Sequence, residues 1–407
     1  MVVIRIAVVM GTIAASSAWA NAQELTLTLP EALARARERA PAVLVARARI
    51  DEARGRLVGA RLRLRDNPSV DVSAGPRSTE VGTLMDLDIG FTQVFETGGQ
   101  RAARIAGAEA AVARETATSA DAVRLAMRDV AVAFTRGVHA QERATLLRSN
   151  EELSSEVLRI AERRFAAGDI AVLDANVAKA SAARAKAARY AAEAERLAAV
   201  GQLKELLRLP PEQPAVLVGT LKPIERSNPS RVISNLDNRA DLVALRAEIA
   251  DAESDIRLGL GATRPDVGFG AQVKREEGHR AILGALTVVF PAFNRGQELQ
   301  TTGAARASRL RLDLETRRET AQIEVQTAIE VYAARQAAVD AFEQTALEGA
   351  RENETLARRS FEVGQISLSE FLLLRRELLD TRLEYLDRLR EAAEAAVLRD
   401  VTSGVLQ

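Results

Sequence analysis

The chain is 407 residues long and carries 56 basic and 56 acidic residues, so it lacks the cationic excess of a nucleic-acid-binding protein. It has no cysteine, which excludes disulfides, thiolate metal sites, thiol catalysis and lipidation through cysteine, and only His139 and His279 could supply imidazole chemistry. Charged residues make up 28% but aromatics only 3%, a balance that suits long helices packed through Ala and Leu better than a large compact enzyme.

Residues 1–20 read as an export signal: Arg5 supplies the basic start, Ile6 to Ala15 the apolar stretch, and Ala18-Trp19-Ala20 an A-x-A cleavage site. Beyond it no apolar run reaches the roughly 18 residues of a membrane-spanning helix. An exported chain of this kind is periplasmic, secreted, or held in an outer membrane as a β-barrel.

Two long stretches, 77–209 and 292–407, contain no proline and are rich in Ala, Leu, Arg and Glu, which predicts helix. Within the first, Val123, Ala126, Val130, Ala133, Gly137, Ala140 and Ala144 step alternately by three and four residues, the seam of a coiled coil with small side chains. Val325, Ala328, Tyr332, Val339, Phe342 and Ala346 follow the same steps in the second, with Arg335 at the intervening seam position. The expected helices from Gly99 to Phe165 and from Gly296 to Phe361 are each roughly 66 residues and roughly 100 Å long.

The sequence repeats itself. Phe165, Gly168 and Ile170 recur as Phe361, Gly364 and Ile366, 196 residues on, and Gly99-Gln100 recurs as Gly296-Gln297. We read a first copy over 21–208 (a helix, a β-hairpin at 69–95, a long helical hairpin at 99–208) and a second over 236–404 (a helix, a β-hairpin at 265–291, a long helical hairpin at 296–404), with a Pro-rich, non-helical linker at 209–235. In the first hairpin Val70, Val72 and Ala74, then Met85, Leu87, Ile89 and Phe91, alternate with polar or small residues; Val267, Phe269, Ala271 and Val273 do the same in the second, followed by a less regular strand from Ile282 to Phe290. Strands of about ten residues cross an outer membrane when tilted, but four strands cannot close a barrel, so a membrane role requires several chains to pool their hairpins.

No Ser/His/Asp order, phosphate-binding glycine loop or metal-ligand spacing is present, so no catalytic, cofactor or metal residues are expected. His139 and His279 read as solvated or helix-packed, and the Arg375, Arg376, Arg382 and Arg388 pattern, interleaved with Glu377, Asp380, Glu384 and Asp387, reads as a solvated helix face. One constellation stands out: the turn glycine of each long helical hairpin is followed six residues later by an acid, Gly168 by Asp174 and Gly364 by Glu370. Each acid is either a charge complementing the N-terminus of the returning helix or part of a gate at the tip.

The two-copy plan, paired hairpins, long helices and Phe-x-x-Gly-x-Ile tips resemble the TolC-like outer-membrane efflux proteins, and the segments from Val94 to Arg101 and from Phe290 to Gln297 resemble the strand-to-helix junctions of their CzcC-type, heavy-metal branch. The resemblance implies an α+β membrane channel: long antiparallel coiled-coil helices and two β-hairpins per protomer, a homotrimer closing a twelve-stranded barrel, and a periplasmic helical tunnel beneath it. It implies docking of the tips (Phe165, Gly168, Ile170, Phe361, Val363, Gly364 and Ile366) onto a periplasmic adaptor and an inner-membrane pump. It further implies a pore gate at Glu370 and Asp174, although Leu373 stands where a second acid is often found, and Phe361 and Ile366 replace the family's tyrosine and arginine locks, so hydrophobic packing of the tips is expected instead. A periplasmic coiled-coil adaptor or scaffold is the alternative; it would share the long helices without needing amphipathic hairpins.

Overall fold

The computed structural model describes residues 25–79, 82–222, 236–276 and 279–404; the expected signal segment lies outside them. The chain opens with a short strand, β1 (Leu25–Thr28), and helix α1 (Leu29–Arg39). Thr28 and Glu31 form a capping box at the start of α1, the Thr28 amide donating to Glu31 Oε2 at 2.9 Å. Pro41 then begins α2 (Pro41–Ala60), so the single first helix expected of this copy is two, broken where the Pro41 ring disfavours helical geometry at Ala40. Strands β2 (Ser69–Thr79) and β3 (Gly82–Phe95) follow, then two long helices, α3 (Gln100–Ala166) and α4 (Val172–Leu207).

Strand β4 (Ala215–Val218) falls in the linker and pairs in parallel with β1, a long-range contact with no local sequence signature. Helix α5 (Ala240–Gly261) leads to β5 (Asp266–Glu276) and β6 (His279–Val289), which extends three residues earlier than the expected strand. Helix α6 (Gln297–Phe342), a π-helical turn at Glu343–Leu347, α7 (Glu348–Glu362) and α8 (Leu368–Thr402) complete the chain.

The expectation of two matching unbroken helices holds for the first only. Helix α3 runs 67 residues without interruption, roughly 100 Å. Its counterpart is broken by the π turn, where the wider spiral shifts the phase of the helix. Glu343 at that turn accepts a hydrogen bond from the Tyr385 hydroxyl and lies 2.8 Å from Lys222 Nζ. The charged seam position is also accounted for: Arg335 is exposed and pairs with Glu391 at 2.5 Å instead of entering the interface. In α3, by contrast, Ala126, Val130, Ala133, Gly137, Ala140 and Ala144 are all buried, as the seam required.

The main core lies where the β1–β4 pair crosses the helices. Val130, Phe134 and Val138 of α3, Leu203 and Leu207 of α4, Leu217 of β4 and Leu389 of α8 pack there in one cluster. A Cβ on Gly137 would approach the Leu217 side chain to 2.3 Å, which is why the seam needs its smallest residue at that level. Gln141 fixes β4 to α3 by donating from Nε2 to the Leu217 carbonyl at 3.1 Å.

At one end of the helices the hairpins join in a four-stranded antiparallel sheet of order β2-β3-β5-β6. The junction segments hold it there. Thr97 donates to the Pro265 carbonyl at 2.6 Å, Gln100 Nε2 to Asp266 Oδ1 at 3.1 Å, and Arg101 to the carbonyls of Arg61 and Leu62. Gly98 sits against Gly261 and Gly296 against Gly259 so closely that a Cβ on either would lie 2.0–2.3 Å from a carbonyl oxygen. Among the described residues, no helix is long and apolar enough to cross a membrane.

Candidate functional site

The two helix-to-helix turns lie at the opposite end of the long helices from the sheet. Each reverses at a glycine in the left-handed region, Gly168 at φ +84° and Gly364 at φ +75°. Hydrogen bonds from Gly168 N to Phe165 O (3.0 Å) and Asp169 N to Arg164 O (2.8 Å) close the first, and from Gly364 N to Phe361 O (3.1 Å) and Gln365 N to Ser360 O (2.8 Å) the second. Both are Schellman-type caps, so the repeated glycines have the same structural cause.

The side chains around the turns divide into two groups. Ile170, Phe361 and Ile366 pack on a tip core of Val157, Ala161, Ala178, Leu368 and Phe371, with the Phe361 and Phe371 rings stacked at 4.6 Å. Hydrophobic packing at the tips is therefore present within a single chain. Phe165 and Val363 point outward, 45% and 69% exposed. Next to them Val172, Leu173 and Leu373 are exposed as well. Of the apolar residues expected to dock a partner, only Phe165 and Val363 lie mainly on the surface.

The two acids also differ. Glu370 occupies the third position of α8 and forms a capping box with Ser367, accepting from the Ser367 amide at 2.8 Å and its hydroxyl at 2.9 Å. These bonds hold the exposed Glu370 carboxyl below the ordinary carboxylate range, so it is ionised at neutral pH. Asp174 occupies the third position of α4, where Ala171 offers no side-chain cap. It instead accepts from Ser369 Oγ at 3.3 Å, which places a direct polar contact between the two tips. Both acids thus satisfy the helix-terminus reading geometrically, and both remain close to the tip surface.

Arg375 and Arg382 depart from the solvated face expected of them. Arg375 is half-buried, donates to Asn150 Oδ1 at 3.3 Å and lies 5.9 Å from the Phe371 ring centre, while Arg382 pairs with Glu354 at 2.6 Å. Arg376 and Arg388 do form exposed pairs along α8, with Asp380 and Glu384. A cavity of about 280 Å³ lies beside Glu354, Arg375 and Leu378. His139 is half-buried on α3, its Nε2 2.9 Å from Asp387 Oδ1 of α8, and its partial burial holds its pKa below the usual histidine value despite that neighbour. His279 is the first residue of β6. Among the described residues, no three His, Asp or Glu side chains converge as a metal site.

The sheet is a second candidate surface, and its register defines two faces because directly paired residues of antiparallel strands share a side. Val70 pairs with Phe91 and Val72 with Ile89; Ile89 also pairs with Val273, and Val273 with Ile282. Phe269 and Leu286 lie further along this same face. These apolar side chains are exposed, from 43% at Ile89 to 81% at Ile282. The opposite face carries Asp71, Arg77, Asp86, Asp88, Gln272, Lys274 and Glu276, with Arg77 paired to both Asp86 and Glu276 and Gln272 to Asp88. Within the sheet β2 and β6 each lack a second neighbour. Eleven-residue strands tilted by about 45° rise about 26 Å, the height of an outer-membrane apolar band.

A long helical body, two reversing tips and a sheet with an exposed apolar face constitute the fold of the TolC-like outer-membrane channels. Residues 32–207 match the family model described as outer membrane efflux protein. The chain is 26% identical over 310 residues to the cobalt-zinc-cadmium resistance protein CzcC of Cupriavidus metallidurans, spanning 75% of this chain and 74% of that protein. Among solved structures it is similar to the Campylobacter jejuni CmeC outer membrane channel (TM-score 0.76, 14% identity, 92% of this chain and 85% of that one). The Vibrio cholerae outer membrane protein VceC gives a TM-score of 0.74 at 18% identity, covering 92% of this chain and 96% of its own. The transmembrane channel protein CusC gives 0.76 at 15%, covering 92% and 91%. The resemblance read from the sequence is thereby borne out, and the matches place the chain in the outer membrane. The fold is the one shared by these outer membrane channel structures.

Proposed function

We propose that three copies of the chain close a twelve-stranded barrel in the outer membrane, continued into the periplasm by a tunnel of their helices. The observation that carries this reading is the four-stranded sheet, whose apolar face is uncovered and whose two outer strands are open. In lipid an open edge leaves backbone donors and acceptors unpaired, so pairing β2 of one copy with β6 of the next satisfies both edges and turns the polar face toward a lumen. An adaptor built only of coiled coil has no use for such a face. Residues 21–208 and 236–404 then act as two structural repeats joined by 209–235, each supplying one hairpin and one tip.

In this arrangement the channel is the passive exit of a tripartite efflux system, with Phe165 and Val363 meeting a periplasmic adaptor that links it to an inner-membrane pump. The likeness to CzcC supports divalent heavy-metal cations as cargo. A passive duct needs no ligand set for its cargo, only a favourable field, and the ionised Glu370 carboxylates of three copies would supply one at the narrow end. Glu370→Gln keeps an N3 side chain able to cap Ser367 while removing the charge. It should lower the cation selectivity of the reconstituted pore; unchanged reversal potentials in a salt gradient would count against the gate.

Membrane fractionation tests the reading as a whole. Recovery after a carbonate wash in the outer-membrane pellet, as a trimer that dissociates only on heating, is expected. Replacing both Leu87 and Ile89 by aspartate on the apolar face should lower that recovery more than about tenfold, given the cost of a charge against lipid. Wild-type protein in the soluble periplasm would sink the proposal.

A further inference from the structure

The apolar face of the sheet carries two charges, and they sit directly opposite each other. Arg275 of β5 and Arg280 of β6 are cross-strand partners, in line with the Val273–Ile282 pair below them. No acidic residue of the four strands lies on this face: Asp71, Asp86, Asp88, Asp266 and Glu276 are all in the alternate register. Both arginines are exposed. They lie at the end of the sheet remote from the helices, next to the Glu276–His279 pair, whereas Val267 and Phe95 mark the helix end.

Like charges directly opposite on a sheet oppose folding, and arginine on a lipid-facing surface is costly except near the interface. Among the described residues of the four strands no carboxylate shares this face with the pair, and an anion supplied from outside the chain would offset its repulsion. A guanidinium matches the oxygens of a phosphate with two parallel hydrogen bonds, and two guanidinia above an apolar band fit a phosphate whose acyl chains continue down that band. We propose that Arg275 and Arg280 bind the phosphate groups of an outer-leaflet glycolipid, each copy of the chain holding one lipid against the barrel wall. The site rests on the barrel reading, which turns this face toward lipid and this end outward.

The test uses the full protein in nanodiscs containing lipid A, with phosphate-free lipid A and inorganic phosphate as separate probes and native mass spectrometry as the readout. Wild-type protein should retain lipid A over its phosphate-free form by about tenfold, in keeping with charge-assisted contacts from two arginines. The Arg275→Gln/Arg280→Gln variant should enter the outer membrane as the wild type does and lose that preference. Lys274→Gln, which removes a cation from the polar face, should keep it. Equal retention of lipid A by the double variant would overturn the site, as would an equal loss in Lys274→Gln. Displacement of lipid A by an equal concentration of inorganic phosphate would assign a free-phosphate site instead and overturn the lipid. Wild-type protein that fails to enter the membrane at all would remove the barrel, and this site with it, whereas normal insertion without lipid preference would remove the site alone.

Discussion

The two tips share a backbone and differ in almost everything hung on it. Both turn at a left-handed glycine closed by the same two hydrogen bonds, yet Phe361 is stacked in a core while Phe165 is 45% exposed. The reason lies 196 residues apart in the returning helices, where the second tip has Phe371 and the first has Ala175. The same shift places Ser367 opposite Ala171, so α8 begins with a capping box and α4 without a side-chain cap. Leu368 is 8% exposed, and Val172 at the matching place is 58% exposed. Phe361 and Phe371 of the second tip thus stack in a core to which the first tip contributes Val157, Ala161, Ile170 and Ala178, while Phe165 and Val172 of the first tip stay on the surface and the Ser369–Asp174 bond joins the two tips. A repeated unit can keep its turn geometry while the phenylalanine at the same place in each copy goes to a core in one and to the surface in the other.

The largest expected effect comes from emptying the packed tip. Phe371→Ala should destabilise the second tip by about 3–5 kcal/mol, as large aromatic deletions in cores do, whereas Phe165→Ala should cost less than about 1 kcal/mol and instead weaken partner binding. Amide hydrogen exchange across 350–375 and 155–180 would read both, and equal losses of protection would break the contrast. Gly168→Ala and Gly364→Ala should each cost about 1–2 kcal/mol, since both need positive φ; a large difference between them would show that the shared backbone is not the common element. Ser367→Ala should cost about 1 kcal/mol in thermal unfolding, and Ala171→Ser should add up to a similar amount by giving the first tip the cap it lacks.

A smaller effect links the two halves through pH. His139 of α3 faces Asp387 and Arg390 of α8 and Arg143 of its own helix, and burial lowers its pKa in the folded chain. The folded state then binds fewer protons than the unfolded one, so the contribution of His139 is complete above about pH 6.5 and is lost as the pH falls below it. His139→Gln should flatten the stability profile between about pH 7 and pH 5 relative to the wild type. An unchanged slope would place the proton balance elsewhere.

Much of the helical body was legible because its signals are local and periodic. The α3 seam, the turn glycines and the alternation of the first hairpin each follow from a spacing that one segment contains. Where the structure departs, the cause is non-local or chemically quiet. Strand β1 pairs with β4 about 190 residues away, a register no local pattern encodes. The π turn at Glu343–Leu347 is composed mostly of ordinary helix formers and is marked by tertiary contacts of Glu343 with Tyr385 and Lys222. Strand β6 blurs because Ala281, Gly284 and Ala285 weaken its alternation. At the tips the repeated Phe-x-x-Gly-x-Ile was read as one kind of surface, although the Ala175-for-Phe371 difference was already present in the sequence.

The central claim, that open strands β2 and β6 of neighbouring copies pair to close a trimer, is tested most directly by crosslinking, which the absence of native cysteine makes unambiguous. Gly284→Cys on β6 meets no neighbouring atom within 4 Å and can be combined with single cysteines along β2 from Ser69 to Ser78. One register should give crosslinked dimer and trimer in outer membranes and nothing larger. Failure in every register, or a ladder running beyond three chains, would contradict the barrel.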